Sequence, residues 1–294
     1  MAKLLDGNAT SKSIRAEVTQ AVAEFKAKHG YAPGLAAILV GENPASAIYV
    51  RNKGLACQEV GMFSETIIMP KETTTAELVQ LIQRLNGDPR FHGILVQLPL
   101  PKQISEREAL LAVSPSKDVD CLHPFNVGRL VDGTAELLPC TPHGVQQILI
   151  RNGYSPEGKR VVICGRSNIV GKPLLNMLVQ KKAGANATVT VCHTGTRDLP
   201  SVTRQADILV AAMGAPEVIT ADMVREGAVV VDVGINRIPD ATKKSGSRIV
   251  GDVHFPSVSE KAEAITPVPG GVGPMTIAML LVNTLTAAKM SAKA

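Results

Sequence analysis

Short, wholly apolar runs alternate with stretches of helical periodicity along this 294-residue chain, and that alternation restricts its fold more than any other feature. Leu35 to Val40 and Ile94-Leu-Val carry no polar residue at either phase of the two-residue strand period. Strands made from them must be buried on both faces. The segments between repeat apolar residues every three or four positions: Ile14, Val18, Val22 and Phe25 between Asn8 and Lys28, stopped by Gly30, and then Leu78, Ile82 and Leu85. Doubly buried strands joined by helices give a parallel sheet with helices on each side.

A helical stretch to about Val60 and a strand-like Thr66-Ile-Ile-Met complete the first rhythm, which reaches about residue 138. Pro139-Cys-Thr-Pro-His then reads as a helix start, with Thr141 as N-cap, Pro142 at the first helical position and Gly153 as the stop. Beyond it, Arg160-Val-Val-Ile-Cys, Thr188 to Cys192, Asp207 to Ala212 and Val229 to Val233 follow the order of a Rossmann-type domain. The stretch Met275 to Met290 is apolar on more than one side and must pack, with the first domain as its candidate partner. The expectation is an α/β protein of two α/β domains around a cleft. Residues 1–139 with the C-terminal helix 275–294 form one domain, and 140–274 form a Rossmann-type NAD(P)-binding domain.

Composition narrows the function. No apolar run reaches the roughly 18 residues of a membrane span, and Met1 to Arg15 has no apolar leader, so no membrane partner and a cytoplasmic location are expected. The five cysteines are widely spaced without a C-x-x-C pair, which argues against a disulfide framework or a zinc site; no metal is expected. A net charge of +5 is spread along the chain, and with no Trp, 3 Tyr and 5 Phe there is little for nucleic-acid bases to stack on. Small anionic ligands suit it better than a polynucleotide.

Gly165-Arg-Ser-Asn-Ile-Val-Gly171 follows a buried strand and opens a helix, the setting of a dinucleotide-binding turn. Gly165 permits the tight turn, Ser167 can hydrogen-bond phosphate, and amides near Gly171 meet an anion at the positive end of the helix. A plain strand-to-helix turn is the blander reading. NAD enzymes usually end the next strand with an acid, whereas here Cys192 is followed by His193-Thr-Gly-Thr-Arg197. Arg166 can contact a 2′-phosphate and Thr194 can supply a hydroxyl, so NADP is expected over NAD, although His193 and Arg197 would also suit a solvent-facing loop.

Ser46, Tyr49 and Lys53 stand at i, i+3 and i+7 along one helix face. From spacing alone, a Tyr and a Lys on one stripe usually read as a half-buried aromatic and a solvated charge. Gln97 ends an apolar strand, where an uncharged amide faces the ligand crevice or simply caps the strand. Asp118 and Asp120 alternate in a polar loop; a turn fits them, and a cation site lacks a third oxygen ligand. Pro267-Val-Pro-Gly-Gly-Val-Gly-Pro-Met-Thr276 could wrap closely around a ligand, or be a turn leading into a helix.

Together these segments resemble the bifunctional methylenetetrahydrofolate dehydrogenase/cyclohydrolase family. The resemblance rests on Tyr49-Val-Arg-Asn-Lys53, Asn86-Gly-Asp with Ile94-Leu-Val-Gln-Leu-Pro-Leu100, Lys117-Asp-Val-Asp120, Gly165-Arg-Ser-x-Ile-Val-Gly171-x-Pro173 and Pro269-Gly-Gly-Val-Gly-Pro-Met-Thr-Ile277. It implies Lys53 as general acid/base, Gln97 as the residue tuning it, Tyr49 as the stacking partner of the folate ring and Asp120 as the pterin anchor. Ser46, Pro269, Gly270 and Gly271 are further implied substrate contacts. Gly165, Arg166, Ser167, Ile169, Gly171, His193, Thr194 and Ile235 are the implied NADP contacts.

The implied chemistry is oxidation of 5,10-methylenetetrahydrofolate to the methenyl form and its hydrolysis to 10-formyltetrahydrofolate, by a homodimer in one-carbon metabolism and purine biosynthesis. Two positions depart from the family pattern: Cys121 stands where Gly is common, and His254 where Asp is common in Gly251-Asp-Val-x-Phe. Rival readings are a dehydrogenase that stops at the methenyl product, which does not need Lys53 and Gln97 together, and a non-catalytic NADP-sensing module, which needs no Tyr49–Lys53 stripe.

Overall fold

A computed structural model describes residues 1–243 and 246–293. Contacts divide the chain into a first unit, Lys12–Cys140 with the segment from Ile277 onward, and a second, Met1–Ser11 with Thr141–Thr276. Ala294, part of the C-terminal segment expected in the first domain, lies outside the described residues.

Near the N-terminus are β1 (Lys3–Leu4) and α1 (Gly7–His29). The first unit then builds β2 (Gly34–Val40), α2 (Pro44–Glu59), β3 (Phe63–Met69), α3 (Thr75–Gly87) and β4 (Gly93–Val96). The three strands form a parallel sheet in the order β3-β2-β4. Every residue of the central strand β2 is buried, as its uninterrupted apolar sequence requires. Helix α3 opens on a capping box between Thr74 and Glu77. Its buried Leu78, Leu81, Ile82 and Leu85 pack on Ala36, Ile38, Val40, Ile94 and Val96 of the sheet. Burying each large aliphatic side chain contributes about 1.5–3 kcal/mol, so this face does more than helix propensity to hold α3 in place.

After α4 (Glu106–Ala112), the segment 117–121 runs along the free edge of β4: Ile94 N donates to Lys117 O at 2.8 Å, and Ile94 bridges to Asp118. A Cβ on Gly93 would lie 2.6 Å from Val119, so only glycine lets the segment approach this closely. Helix α5 (Pro124–Asp132) follows, and α6 (Cys140–Arg151) starts at the boundary of the units.

The second unit contains β5 (Arg160–Cys164), α7 (Gly171–Leu178), β6 (Thr188–Cys192), α8 (Leu199–Thr203), β7 (Ile208–Ala211), β8 (Val229–Asp232), β9 (Asn236–Pro239), β10 (Ser247–Val250), α9 (Phe255–Ser259) and β11 (Ala264–Ile265). Six strands make one parallel sheet in the order β1-β11-β8-β7-β5-β6, and β9 pairs antiparallel with β10. The order reverses at β5, with β6 on one side and β7 on the other, which is the Rossmann-type arrangement.

Helix α10 (Val272–Ser291) ends the chain. By length and composition it is apolar enough to cross a membrane, unlike what the absence of a long uninterrupted apolar run suggests; 67% of its apolar window is nevertheless buried inside the fold. Its Asn283 donates to Val119 O and Leu138 O, both at 2.7 Å and both within the first unit, so this helix is part of a protein core.

Two expectations need correction. Met1–Ser11 groups with the second unit rather than with the rest of 1–139: β1 pairs with β11, and Leu5, fully buried, donates its N–H to Ile265 O at 2.9 Å. A two-residue strand is too short to show a period, and its partner stands near the other end of the chain. Thr141 is not an N-cap. Helix α6 already includes Cys140, and the Thr141 hydroxyl pairs with Thr276 Oγ1 at 3.0 Å.

Candidate active site

Along α2, Ser46, Val50, Lys53, Cys57 and Val60 recur at alternating steps of four and three, and all five are buried. Lys53 therefore occupies a core position of an amphipathic helix and is only 8% exposed. A lysine there needs a partner. It donates from Nζ to Oε1 of Gln97 at 3.0 Å. Gln97 follows β4 directly, its N–H donating to Ile38 O at 2.9 Å, and its Nε2 donates to Leu98 O at 2.6 Å. That second bond fixes which end of the amide faces the lysine.

Tyr49 lies at the flank of the same helix, 37% exposed. Partial desolvation raises its hydroxyl above the ordinary tyrosine value, so the ring is neutral. Asn43 Oδ1 accepts from Ser46 N at 3.1 Å at the start of α2.

Of the two loop carboxylates, Asp118 is the structural one. It is buried and accepts from Leu122 N, His123 N and Asn126 Nδ2 at 3.1, 2.8 and 2.9 Å. Burial raises its pKa despite those bonds. Asp120 is half-buried, and the Cys140 thiol beside it is pushed well up, chiefly by burial and also by Asp120; Lys53 acts on the same thiol in the opposite sense. The structure thus brings Lys53 and Gln97 into direct contact and sets Asp120 within electrostatic range of the same buried thiol as Lys53.

Cys121 adopts φ +58°, the left-handed region that favours glycine. Its N–H donates to Asp118 O at 3.1 Å and its thiol to Leu137 O at 3.3 Å. The backbone following Asp120 is therefore glycine-like without a glycine. His254, the other departure, pairs Nδ1 with Ser257 Oγ at 2.8 Å.

In the second unit Gly165 has φ +133°, and a Cβ on it would lie 2.0 Å from Ala212 O; one on Gly171 would lie 2.0 Å from Gly165 O. Both glycines are required by close backbone approach. Ser167 Oγ accepts from Val170 N at 3.1 Å and keeps its own O–H free to donate to a ligand. Arg166, Ser167, Ile169 and Thr194 are exposed. His193 Nδ1 accepts from Gly195 N at 3.0 Å, and Ile235 is 53% exposed.

This donor set fits a dinucleotide phosphate at a helix start. The first acid after β6, Asp198, is occupied at the start of α8 by Ser201 N. Among the described residues no group of His, Cys, Asp and Glu is arranged to hold a metal.

Pro269, Gly270 and Gly271 belong to the second unit with this turn. Their glycines answer to the N-terminal segment: a Cβ on Gly7 would lie 1.7 Å from Gly271 O, and Gly270, at φ +106°, accepts from Asn8 N at 3.2 Å. Two buried carboxylates in this unit, Asp232 and Asp252, lie outside the residues expected in the site. An acid closing the apolar run Val229-Val-Val-Asp was the available signal for the first.

Two family descriptions match the chain: "Tetrahydrofolate dehydrogenase/cyclohydrolase, catalytic domain" over residues 5–120, and "Tetrahydrofolate dehydrogenase/cyclohydrolase, NAD(P)-binding domain" over 139–292. The bifunctional protein FolD of Dehalococcoides mccartyi is 58% identical over 292 residues, 99% of this chain and 98% of the relative. The crystal structure of the FolD methylenetetrahydrofolate dehydrogenase/cyclohydrolase of Campylobacter jejuni is 50% identical with a TM-score of 0.92, covering 99% of this chain and 100% of that one. The Trypanosoma brucei FolD structure, complexed with NADP cofactor and inhibitor, is 40% identical with a TM-score of 0.94, covering 100% and 99%.

Proposed function

The chain belongs to the tetrahydrofolate dehydrogenase/cyclohydrolase family, and from that premise we propose that it oxidises 5,10-methylenetetrahydrofolate with NADP⁺ and hydrolyses the methenyl product to 10-formyltetrahydrofolate. The observation that carries the reading is the bond from buried Lys53 to Gln97. An amine held by a neutral amide at a core position has no structural purpose that an apolar residue would not serve better, whereas a proton relay needs such an amine.

The face of Tyr49 stacks on the folate ring system, and the Asp120 carboxylate accepts two hydrogen bonds from the pterin 2-amino and ring N–H groups. Amides at the start of α7 bind the dinucleotide phosphates, with Arg166 and Thr194 on the 2′-phosphate. Held there, the nicotinamide would supply the hydride acceptor for the oxidation.

Hydrolysis needs only side chains and water. As water oxygen bonds to the cationic bridge carbon, Lys53 Nζ removes a proton from it. When the ring C–N5 bond breaks, N5 keeps the electron pair and Lys53 returns the proton to that nitrogen; a second proton leaves as the formyl C=O forms. Gln97 Oε1 holds Nζ in line for both transfers.

The proposal extends to a cytoplasmic homodimer that supplies formyl groups for purine biosynthesis; this part rests on the family resemblance alone. The test supplies methylenetetrahydrofolate and NADP⁺ and follows NADPH, methenyl and formyl products together. Formation of 10-formyltetrahydrofolate faster than spontaneous hydrolysis is expected. Accumulation of the methenyl compound hydrolysing only at its spontaneous rate selects a dehydrogenase alone, and NADPH binding without turnover selects a sensing module.

A further inference from the structure

At the carboxyl end of β7 the chain leaves the sheet through Met213, Gly214 and Ala215, and the N–H groups of all three point at one carboxylate, that of Asp252. Oδ2 accepts from Met213 and Gly214, and Oδ1 accepts from Ala215 at 3.0 Å and from Asn236 Nδ2 at 2.8 Å. Successive main-chain N–H groups turned inward form a concavity suited to an anion. Here a fully buried side chain of the protein fills it, and the mechanism above makes no use of that side chain.

The place matters. The sheet order reverses between β6 and β7 on either side of β5, and in open parallel sheets ligands bind outside the carboxyl ends of the strands at such a reversal. The Gly165 turn forms one wall there. The segment opening at Ala212 forms the other: Ala212 N donates to Cys164 O at 2.8 Å, and Ala212 O blocks any Cβ on Gly165. Through Asn236, Asp252 also holds the segment after β8, which carries exposed Ile235.

We propose that Asp252 is a positioning residue for the dinucleotide site, its carboxylate tying the segment after β7 to the segment after β8 so that both face the Gly165 turn at fixed height. The inference rests on the reading of this unit as the NADP-binding one. Neither near relative of aspartate replaces it. Asparagine has one acceptor oxygen, so whichever way it turns, its NH₂ opposes N–H donors. Glutamate lacks room, because even a Cβ on Gly234 would lie 2.3 Å from Asp252 Oδ1.

Fluorescence titration with NADPH on wild type, Asp252→Asn and Arg166→Ala tests this, alongside nucleotide-free hydrolysis of methenyltetrahydrofolate as a control on the first unit. Asp252→Asn is expected to weaken NADPH binding roughly tenfold or more, since it leaves buried donors unpaired, while methenyl hydrolysis stays at the wild-type rate. A merely structural role would lower both. Unchanged NADPH affinity in Asp252→Asn, or parallel loss of both functions, overturns the inference. Weakened binding in Arg166→Ala with none in Asp252→Asn overturns it alone, whereas a wild type that binds no NADPH overturns the cofactor reading as well. If Asp252→Asn does not fold, Asn236→Ala, which removes one donor, decides by the same titration: weaker binding supports the role and unchanged binding refutes it.

Discussion

Lys53 Nζ lies 3.0 Å from Gln97 Oε1, although 44 residues separate them. The contact exists because Gln97 is the first residue beyond β4, which pairs with β2 so that Ile38 stands opposite Val96, and α2 leads out of β2 with Lys53 on its buried stripe. The neutral Gln97 amide accepts from Nζ and orients it.

Lys53→Gln is expected to abolish the cyclohydrolase reaction while NADPH titrates as in wild type, because an amide cannot relay a proton and the nucleotide turn belongs to the other unit. Gln97→Leu, which leaves Nζ without its acceptor, should slow the same step. Ring opening at the wild-type rate in Lys53→Gln would remove Lys53 from the mechanism.

Arg166→Ala should narrow the preference for NADP⁺ over NAD⁺ by about tenfold or more, the equivalent of roughly 1.5–3 kcal/mol for a charge-assisted contact. Arg166 is exposed, so the fold should not change. Comparing the dissociation constants of the two cofactors in both proteins gives the answer, and equal wild-type affinities would refute the assignment.

Asp120→Ala should raise the folate KM about tenfold or more by leaving pterin donors unpaired, with NADPH affinity unchanged. Position 121 offers a sharper pair. Because Cys121 already holds φ +58°, Cys121→Gly keeps the backbone that aims Asp120, and the folate KM should stay within about twofold of wild type. Cys121→Val, β-branched and ill suited to that region, should raise KM and lower Tm. If steady-state kinetics show Gly and Val equally harmless, the angle at 121 does not govern Asp120.

Asp232 accepts N–H bonds from Gly234, Asp252 and Val253, yet burial, with some repulsion from Asp252, pushes its carboxyl up from 3.8 to about 6. A group whose folded pKa is raised contributes stability that is fully present below its unfolded pKa and lost as pH rises through the folded one. At roughly 1.4 kcal/mol per pH unit, the loss between pH 4 and 7 is about 2 kcal/mol. Urea denaturation of wild type and Asp232→Asn at both pH values should show wild type losing that much of its stability relative to the variant on going to neutral pH. A difference independent of pH would contradict the raised carboxyl.

Local physics made much of the fold legible. Strand β2, whose residues all face packed neighbours, must be apolar throughout, and α3, which buries one side, must carry Leu78, Leu81, Ile82 and Leu85 at helical spacing, so both are written in consecutive residues. The Gly165–Gly171 turn was readable in part for a related reason: Gly171 answers to Gly165 O within the turn, whereas Gly165 answers to Ala212 O from the segment after β7. Three-dimensional pairing was needed for the rest. Spacing could not tell whether Lys53 faced solvent or core, and only the crossing of α2 over the sheet set it against Gln97. Residues 1–11 join the second unit because a two-residue strand gains its hydrogen bonds from β11. Asp252 looks like any loop acid until the segment after β7 turns three N–H groups toward it. Periodicity reports what one element presents to its surroundings; which distant group fills those surroundings depends on strand register and helix crossing, and these arise only when the whole chain packs.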